Sequence, residues 1–432
     1  MPPTSLAALA EAVRDCVEPD GIEVALVDRT IDRWGEADTA RRLVECDPRV
    51  VVLGTGHATT PGAAPSDARA LAGVGRRLES EGRAGPFRIG LVDGTNDAEW
   101  ILREDGADVV LRGEADETLP AVVAQALAGR SSWDGARGAS WRCPKRGVRH
   151  EVDAPPPRAP RAAAWDLVEL DRYVGERRGL SALRRPRRTA TIVTSRVCEP
   201  TCKTCHGSFG PSSRDRSVRD VIAEVRALVR KRGVRTLRIA DVAFDGRPER
   251  ALEIANGIAT LRSAPGHGGL RVEFPLGLRG DGLDAELVEA LVRAGVRRFP
   301  LRIDTASPRL QRLTKRNVRI DRAARALEEI AAAGALGHLD LRIGLPTETL
   351  DEARQTVRWA RASAAHTARF GDGGEILLGE EPSNEEHRGA IDGLRRRALR
   401  YFYSSPRRGA LLARQLARST RQAVAAGDSD RR

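Results

Sequence analysis

From Thr189 onward the chain alternates strand-like runs with helical patterns, and it does so six times. The runs stand at Thr191 to Thr194, Thr236 to Ala240, Leu270 to Phe274, Arg298 to Ile303, Leu339 to Ile343 and Glu375 to Leu378. The helix expected over Asp284 to Ala294 shows the logic: Leu287, Val288, Leu291 and Val292 form one apolar stripe, and Gly295 supplies a stop. Six successive βα units fit an incomplete barrel better than an open sheet. In such a barrel, catalytic groups gather at the C-terminal ends of the strands.

The first 130 residues alternate in the same way but more briefly. Helical patterns cover Leu6 to Val17, Thr39 to Glu45, Asp67 to Glu81, Asp97 to Asp105 and Thr118 to Leu127; strands are expected at Ile22 to Val27, Val50 to Leu53, Phe87 to Val92 and Val109 to Leu111. Short apolar strands separated by helices imply a small parallel sheet with helices on both faces. Ligands of such sheets sit beyond the carboxyl ends of the strands, which here lead into Gly54-Thr55-Gly56-His57, Asp93-Gly94-Thr95-Asn96 and Gly113-Glu114. None of these loops is a G-x-G-x-x-G fingerprint, so the sequence does not support nucleotide binding.

Between the two alternating regions, Gly129 to Arg188 is rich in Trp, Arg, Ser and Pro and reads as a linker with an ordered patch around Trp165-Asp166-Leu167. Beyond Asp392 the chain is helical and arginine-rich. The net charge of +12 arises from 72 basic residues, of which only Lys145, Lys203, Lys231 and Lys315 are lysines. That skew matches a GC-rich codon bias, and solvated arginines on helix faces explain it better than a nucleic-acid surface. No apolar stretch approaches the roughly 18 residues of a membrane span. The first residues lack a basic n-region and Glu11 interrupts their apolar patch, so a cytoplasmic protein is expected.

Chemistry is concentrated in Cys198-Glu199-Pro200-Thr201-Cys202-Lys203-Thr204-Cys205-His206, a C-x3-C-x2-C spacing directly after the first strand of the second region. Three thiols within eight residues can turn toward one centre and bind a soft metal as thiolates. Structural zinc needs a fourth ligand; His206 is too close to Cys205 to reach the same ion easily, and no second C-x2-C occurs. Cys202 to His206 satisfies C-x2-C-H, but haem attached in that way belongs to exported proteins. Three unconnected core thiols would sit badly in so polar a loop. A [4Fe-4S] cluster on three cysteines, with one iron open, fits the count best.

This spacing after the first strand of a βα barrel resembles the signature of radical S-adenosylmethionine (radical SAM) enzymes. The resemblance implies that Cys198, Cys202 and Cys205 ligate the cluster and that S-adenosylmethionine chelates its open iron. Electron transfer then yields a 5′-deoxyadenosyl radical. It extends along the barrel from about Thr189 to Ser363. Ile239 to Asp245, with Asp241 and Asp245, is similar to the loop that contacts the methionyl amino group. Ile303-Asp304-Thr305-Ala306-Ser307 is similar to the fourth-strand ribose motif, with Asp304 where Glu is common. Gly344-Leu345-Pro346-Thr347-Glu348-Thr349 resembles the fifth-strand turn near the adenine, which makes Gly344, Pro346 and Glu348 expected S-adenosylmethionine contacts.

Gly113 to Leu119, then Ala164-Trp165-Asp166-Leu167, Tyr173 and Arg400 to Pro406, resemble the corresponding stretches of B12-binding-domain radical SAM proteins. This implies an α/β chain with an N-terminal doubly wound, cobalamin-binding-like (Rossmann-like) domain, then a partial (β/α)6 TIM-like radical SAM barrel and a helical C-terminal tail. The expected divisions are 1–130, a linker over 131–188, the barrel over 189–380 and a C-terminal region over 381–432. The family's strand before the first helix has no counterpart in this sequence, which is expected either of a start assigned too late or of a first sheet one strand short. Gly54, His57, Gly94, Gly113 and Glu114 are the cobalamin-contact candidates, and there is no D-x-H-x-x-G motif. The implied function is reductive cleavage of S-adenosylmethionine on behalf of a small-molecule substrate, with cobalamin-dependent C-methylation or a related biosynthetic modification. An electron donor such as flavodoxin or ferredoxin would be its partner. The competing class is a cofactor-depleted relative that binds a partner without turnover. Arg271, Arg279, Arg302 and Arg342 lie in or near barrel strands, where inward-facing ones could bind a carboxylate or phosphate.

Overall fold

The structure, a computed structural model, describes residues 4–17, 21–28, 31, 34–54, 80, 86–92, 95–103, 107–130, 132–143, 147–152, 159–173, 187–196, 202, 214–373, 385–415 and 417. The chain divides into two compact units, one of residues 1–192 with 214–216 and one of residues 193–213 with 217–432.

In the first unit, helices α1 (Thr4–Val17), α2 (Glu36–Cys46), α3 (Thr95–Arg103) and α4 (Thr118–Leu127) accompany strands β1 (Val50–Leu53), β2 (Phe87–Val92) and β3 (Val109–Arg112). The strands run parallel, with Val50 opposite Phe87 and Ile89 opposite Val109. Alternation along β3 explains the two-sided packing. Val109 and Leu111 join Leu9 and Val13 of α1 and Leu119 and Val122 of α4, whereas Val110 packs with Ala98, Ile101 and Leu102 of α3. Each fully buried aliphatic side chain of this kind contributes roughly 1.5–3 kcal/mol.

Two features differ from the sequence reading. Residues 139–150, read as linker, form an antiparallel hairpin of β4 (Ala139–Cys143) and β5 (Gly147–His150) that extends the sheet beyond β3. Trp141 is buried there, so a stretch read as linker carries a core anchor. Ile22 to Val27 is not a strand. Ile22 and Val24 pack against the core, so the alternation records burial of one face, but the segment gains no ladder partner among the described residues. The patch at Trp165–Leu167 is a 3₁₀ turn, tied to α1 by the Ala164 N–H donating to the Ala7 carbonyl at 3.0 Å. The helix expected over Asp67 to Glu81 lies outside the described residues apart from Ser80. Strand β6 (Thr189–Ile192) ends this unit.

The second unit holds the remaining βα repeats: α5 (Val218–Lys231), β7 (Thr236–Ile239), α6 (Pro248–Ser263), β8 (Arg271–Glu273), α7 (Ala285–Ala294), β9 (Arg298–Asp304), α8 (Pro308–Leu313), α9 (Ile320–Ala332), β10 (Leu336–Ile343), α10 (Leu350–Ala362) and β11 (Thr367–Asp372). Strand β7 pairs with β8, and β9 with β10 and β11, all parallel; bridges at Val272 to Val296 and Leu278 to Leu301 continue the wall between the two groups. The sixth strand is Thr367–Asp372, upstream of the apolar run at Glu375 to Leu378, which lies outside the described residues.

Gly337 tells which face is which. A Cβ there would stand 2.8 Å from Leu327 Cδ2 on α9, so Gly337, Leu339, Leu341 and Ile343 turn toward the helices. His338, Asp340 and Arg342 therefore turn to the interior of the barrel. Helix α7 shows how sequence sets the helix ends. The Asp284 carboxylate caps α7 by accepting the Leu287 N–H at 2.8 Å, and Gly295 ends it at φ +111°. Helix α11 (Glu385–Tyr403) packs Ile391 and Ala398 against Ile343, Ala353 and Val357. Among the described residues, no helix is long and apolar enough to cross a membrane.

Candidate functional site

The sequence-selected side chains of the second unit stand at the C-terminal ends of successive strands. Asp241, two residues beyond β7, is 1% exposed. It accepts the Thr194 N–H at 2.6 Å, the Thr194 hydroxyl, and the Ser195 hydroxyl at 2.9 Å. Burial raises its pKa against these bonds. Arg250 adds to the cluster, donating to the Thr194 hydroxyl at 3.1 Å and its carbonyl at 3.0 Å. Both oxygens of Asp241 are thus engaged by the chain just before the cysteines. Of the triplet, Cys202 is described as a half-buried thiol, and Cys198 and Cys205 lie outside the described residues.

Asp245 is fully buried in the turn Phe244–Gly246 and receives the backbone N–H groups of Arg279 at 2.9 Å and Gly280 at 2.7 Å. It ties the loop after β7 to the loop after β8; burial raises its pKa. Asp304 ends β9 at φ +63°, after a register shift between Arg302 and Asp304. A left-handed conformation is uncommon for a residue with a Cβ, although Asp tolerates it better than most. The Asp304 carboxylate is 2% exposed and lies between two guanidinium groups, Arg316 at 3.2 Å and Arg342 at 3.5 Å. Arg316 was not singled out in the sequence. It sits between Lys315 and Asn317, both with positive φ, in a turn that shows no periodicity.

Gly344 begins the turn after β10 at φ +92°, where a side chain would be strained. Its N–H donates to Glu348 Oε2 at 2.6 Å, and the Leu345 N–H donates to the same oxygen at 3.2 Å. Pro346 is buried within this turn. Glu348 is 2% exposed and its Oε1 has no hydrogen-bond partner among the described residues. Burial pushes its pKa up to about 7 against the two N–H bonds. The fourth- and fifth-strand loops are laced together. Arg309 donates to the Thr347 carbonyl at 2.7 Å and to Glu352 Oε2 at 2.8 Å, and the Ser307 hydroxyl donates to Glu352 Oε1 at 2.7 Å. Arg309 holds the Glu352 carboxyl down to about 2. Neither Arg309 nor Glu352 stands out in the sequence, except that Thr349 and Glu352 form a capping box on α10.

In the first unit, Gly54 follows β1, and a Cβ there would meet Leu6 Cδ2 at 2.8 Å and Leu91 Cδ1 at 3.2 Å, so the two leucines pack close against its backbone. Gly113 follows β3 at φ +72° with nothing among the described residues within 4 Å of where a Cβ would stand, and its N–H donates to the Val92 carbonyl at 2.8 Å. Glu114 forms a two-pronged ion pair with the nearly buried Arg214, in which Nη2 donates to Oε1 at 3.1 Å and Nη1 to Oε2. His57 and Gly94 lie outside the described residues.

Residues 192–360 match the Radical SAM superfamily domain. The chain is 25% identical over 383 residues to an uncharacterized methyltransferase of Pyrococcus horikoshii, across 85% of this chain and 75% of that protein. It is 23% identical to the cytidylyl-2-hydroxyethylphosphonate methyltransferase of Streptomyces wedmorensis, across 48% of this chain and 39% of that one. Two solved structures share its fold. TsrM, a radical S-adenosylmethionine methyltransferase from Kitasatospora setae, matches with a TM-score of 0.65 at 19% identity, covering 84% of this chain and 70% of its own. OxsB, a cobalamin-dependent S-adenosylmethionine radical enzyme, matches with a TM-score of 0.63 at 14% identity, covering 93% and 54%. Residues 192–360 are therefore a radical SAM domain, and the chain has the fold of TsrM and OxsB.

Proposed function

We propose that the protein is a methyltransferase that uses a [4Fe-4S] cluster, S-adenosylmethionine and cobalamin to methylate, or modify in a related way, a small molecule of a biosynthetic pathway. The radical SAM match over residues 192–360 carries the reading, and the strand-end groups inside that segment fit it. The donor set is right for the cluster: Cys198, Cys202 and Cys205 offer three thiolates and leave one coordination position for S-adenosylmethionine. Glu348 fits a polar ligand, because its buried Oε1 is an unsatisfied hydrogen-bonding position at the end of the fifth barrel strand. Gly113 fits a bulky ligand at the end of β3, because no described atom lies within 4 Å of where its Cβ would stand.

When bound, the cluster supplies the electron that cleaves S-adenosylmethionine, and the corrinoid relays a methyl group. The chain's own residues hold and orient. Asp241 fixes Thr194 and Ser195, and so sets the entry to the cysteine loop. Arg309, Ser307 and Glu352 hold the fourth- and fifth-strand turns to one another, which keeps Gly344 to Glu348 in place. Glu348, with a pKa of about 7, is half protonated near neutral pH and can donate or accept through Oε1. A reduced flavodoxin or ferredoxin is the proposed electron source.

Anaerobic reconstitution tests the reading. Iron and sulfide per chain, 5′-deoxyadenosine released from S-adenosylmethionine under reductant, and corrin absorbance retained after purification with hydroxocobalamin are the measurements. A chain that takes up no cluster, or loads one and never cleaves S-adenosylmethionine with reductant and candidate substrates, is a non-catalytic relative. Cleavage without corrin retention would remove cobalamin from the assignment.

A further inference from the structure

The interior face of the barrel holds one arginine whose counter-ion belongs to another residue. On β9, Pro300 and Arg302 share the interior face with His338, Asp340 and Arg342 of β10, because Phe299 pairs with Gly337 and Arg302 with Asp340 in register. Asp340 is the carboxylate directly across from Arg302. It is taken from the other side: Arg369 on β11, its register partner there, donates to Asp340 at 2.9 Å. Three other arginines in or near the barrel strands are matched. Arg238 pairs with Glu273 at 3.1 Å, Arg279 with Asp281 at 3.2 Å and Arg342 with Asp304 at 3.5 Å. Arg302 makes no ion pair among the described residues, and its one side-chain hydrogen bond is a long one, 3.4 Å from Nη1 to the Leu276 carbonyl.

The Arg302 stem is held although its head is uncompensated. Gly277, at φ +77°, lacks the Cβ that would stand 2.7 Å from Arg302 Cγ and 2.9 Å from its Cδ. The side chain thus lies in a slot formed by a glycine, two residues below Asp304 on the same strand. A partly buried guanidinium with fixed direction and no anion is costly unless something arrives to meet it, and its planar fork suits carboxylate and phosphate oxygens.

We infer that Arg302 anchors an anionic group of the substrate, so the substrate of this enzyme carries a carboxylate or phosphate. This rests on the barrel being the site of turnover. Cationic charge inside a low-dielectric barrel draws such a molecule in and orients it by the end that does not react.

The test is calorimetric titration of the anaerobically reconstituted, S-adenosylmethionine-loaded protein with inorganic phosphate and, separately, acetate. Binding of at least one is expected, weakened about tenfold or more in Arg302→Gln and less in Arg302→Lys, which keeps charge without the fork. Thermal melts identify variants that fold. If Arg302→Gln does not fold, competition of the two anions with increasing chloride in the wild type and in Arg302→Lys decides the matter. No anion binding in the wild type, or a tenfold loss of S-adenosylmethionine affinity in a folded variant with anion binding unchanged, overturns the inference. 5′-Deoxyadenosine formation by the wild type is measured in parallel. Its absence even with reductant and candidate substrates refutes turnover in the barrel whatever Arg302 binds, and its presence with no anion binding refutes only the substrate class.

Discussion

The Glu348 carboxyl accepts the Gly344 N–H at 2.6 Å and thereby closes the turn that ends β10. The same carboxyl is 2% exposed, and burial raises its pKa from 4.5 to about 7. Between those values the folded protein keeps a proton that the unfolded chain has lost. Its stabilising share is therefore complete below about pH 4.5 and is lost as pH rises through 7. Glu348→Gln, neutral throughout, is expected to gain stability over the wild type as pH goes from 5 to 8, by on the order of 3 kcal/mol at most. Denaturant melts of both proteins across that range measure it. Parallel pH profiles would show that Glu348 is ionised in the fold.

Asp241 is expected to matter for iron as well as for stability. Removing its carboxylate strands the Thr194 N–H and the Thr194 and Ser195 hydroxyls, all buried. Asp241→Ala should cost about 3 kcal/mol or more and lower the iron retained after reconstitution, because Thr194 lies four residues before Cys198. Asp241→Asn keeps one acceptor and should cost about 1 kcal/mol, since hydroxyls can rotate to accept from its amide. Equal stability of the two variants would contradict this account.

The strands and helices around this site were legible because their burial is periodic. Val109, Val110 and Leu111 announce a doubly covered strand, and Leu339, Leu341 and Ile343 announce a half-covered one. What escaped the sequence depends on partners distant in the chain. Ser140 and Trp141 became a sheet strand only because β3 offered them an edge, and Ile22 to Val27, with the same alternation, found none among the described residues. Asp241 and Asp304, which the family resemblance marks as S-adenosylmethionine contacts, stand at strand ends. Their present partners, Thr194 and Arg316, are contacts of tertiary structure that no local pattern encodes.

Loss of the cysteine thiolates should separate folding from chemistry. A Cys198→Ala, Cys202→Ala, Cys205→Ala variant is expected to lose bound iron and all 5′-deoxyadenosine formation. It should keep the far-ultraviolet circular dichroism of the wild type, since the βα wall is packed by residues such as Leu301, Leu339 and Leu341. Iron retained at wild-type stoichiometry would place the cluster elsewhere.

Gly282 supports the site without touching it. A Cβ at this position would stand 2.0 Å from the Asp245 carbonyl oxygen, a backbone atom that cannot swing aside as a side-chain end would. Moving that backbone would pull the Asp245 carboxylate away from the Arg279 and Gly280 N–H groups, leaving buried donors and acceptor unpaired. Steric strain and lost hydrogen bonds then add, and Gly282→Ala should destabilise the protein by about 3 kcal/mol or more. Gly268 is the control. It has nothing within 4 Å of an added Cβ and its φ lies outside the left-handed region, so Gly268→Ala should be neutral or gain up to about 1 kcal/mol through the unfolded chain. Chemical denaturation of both variants measures the contrast, and a Gly282→Ala protein as stable as Gly268→Ala would show that the two loops do not approach this closely.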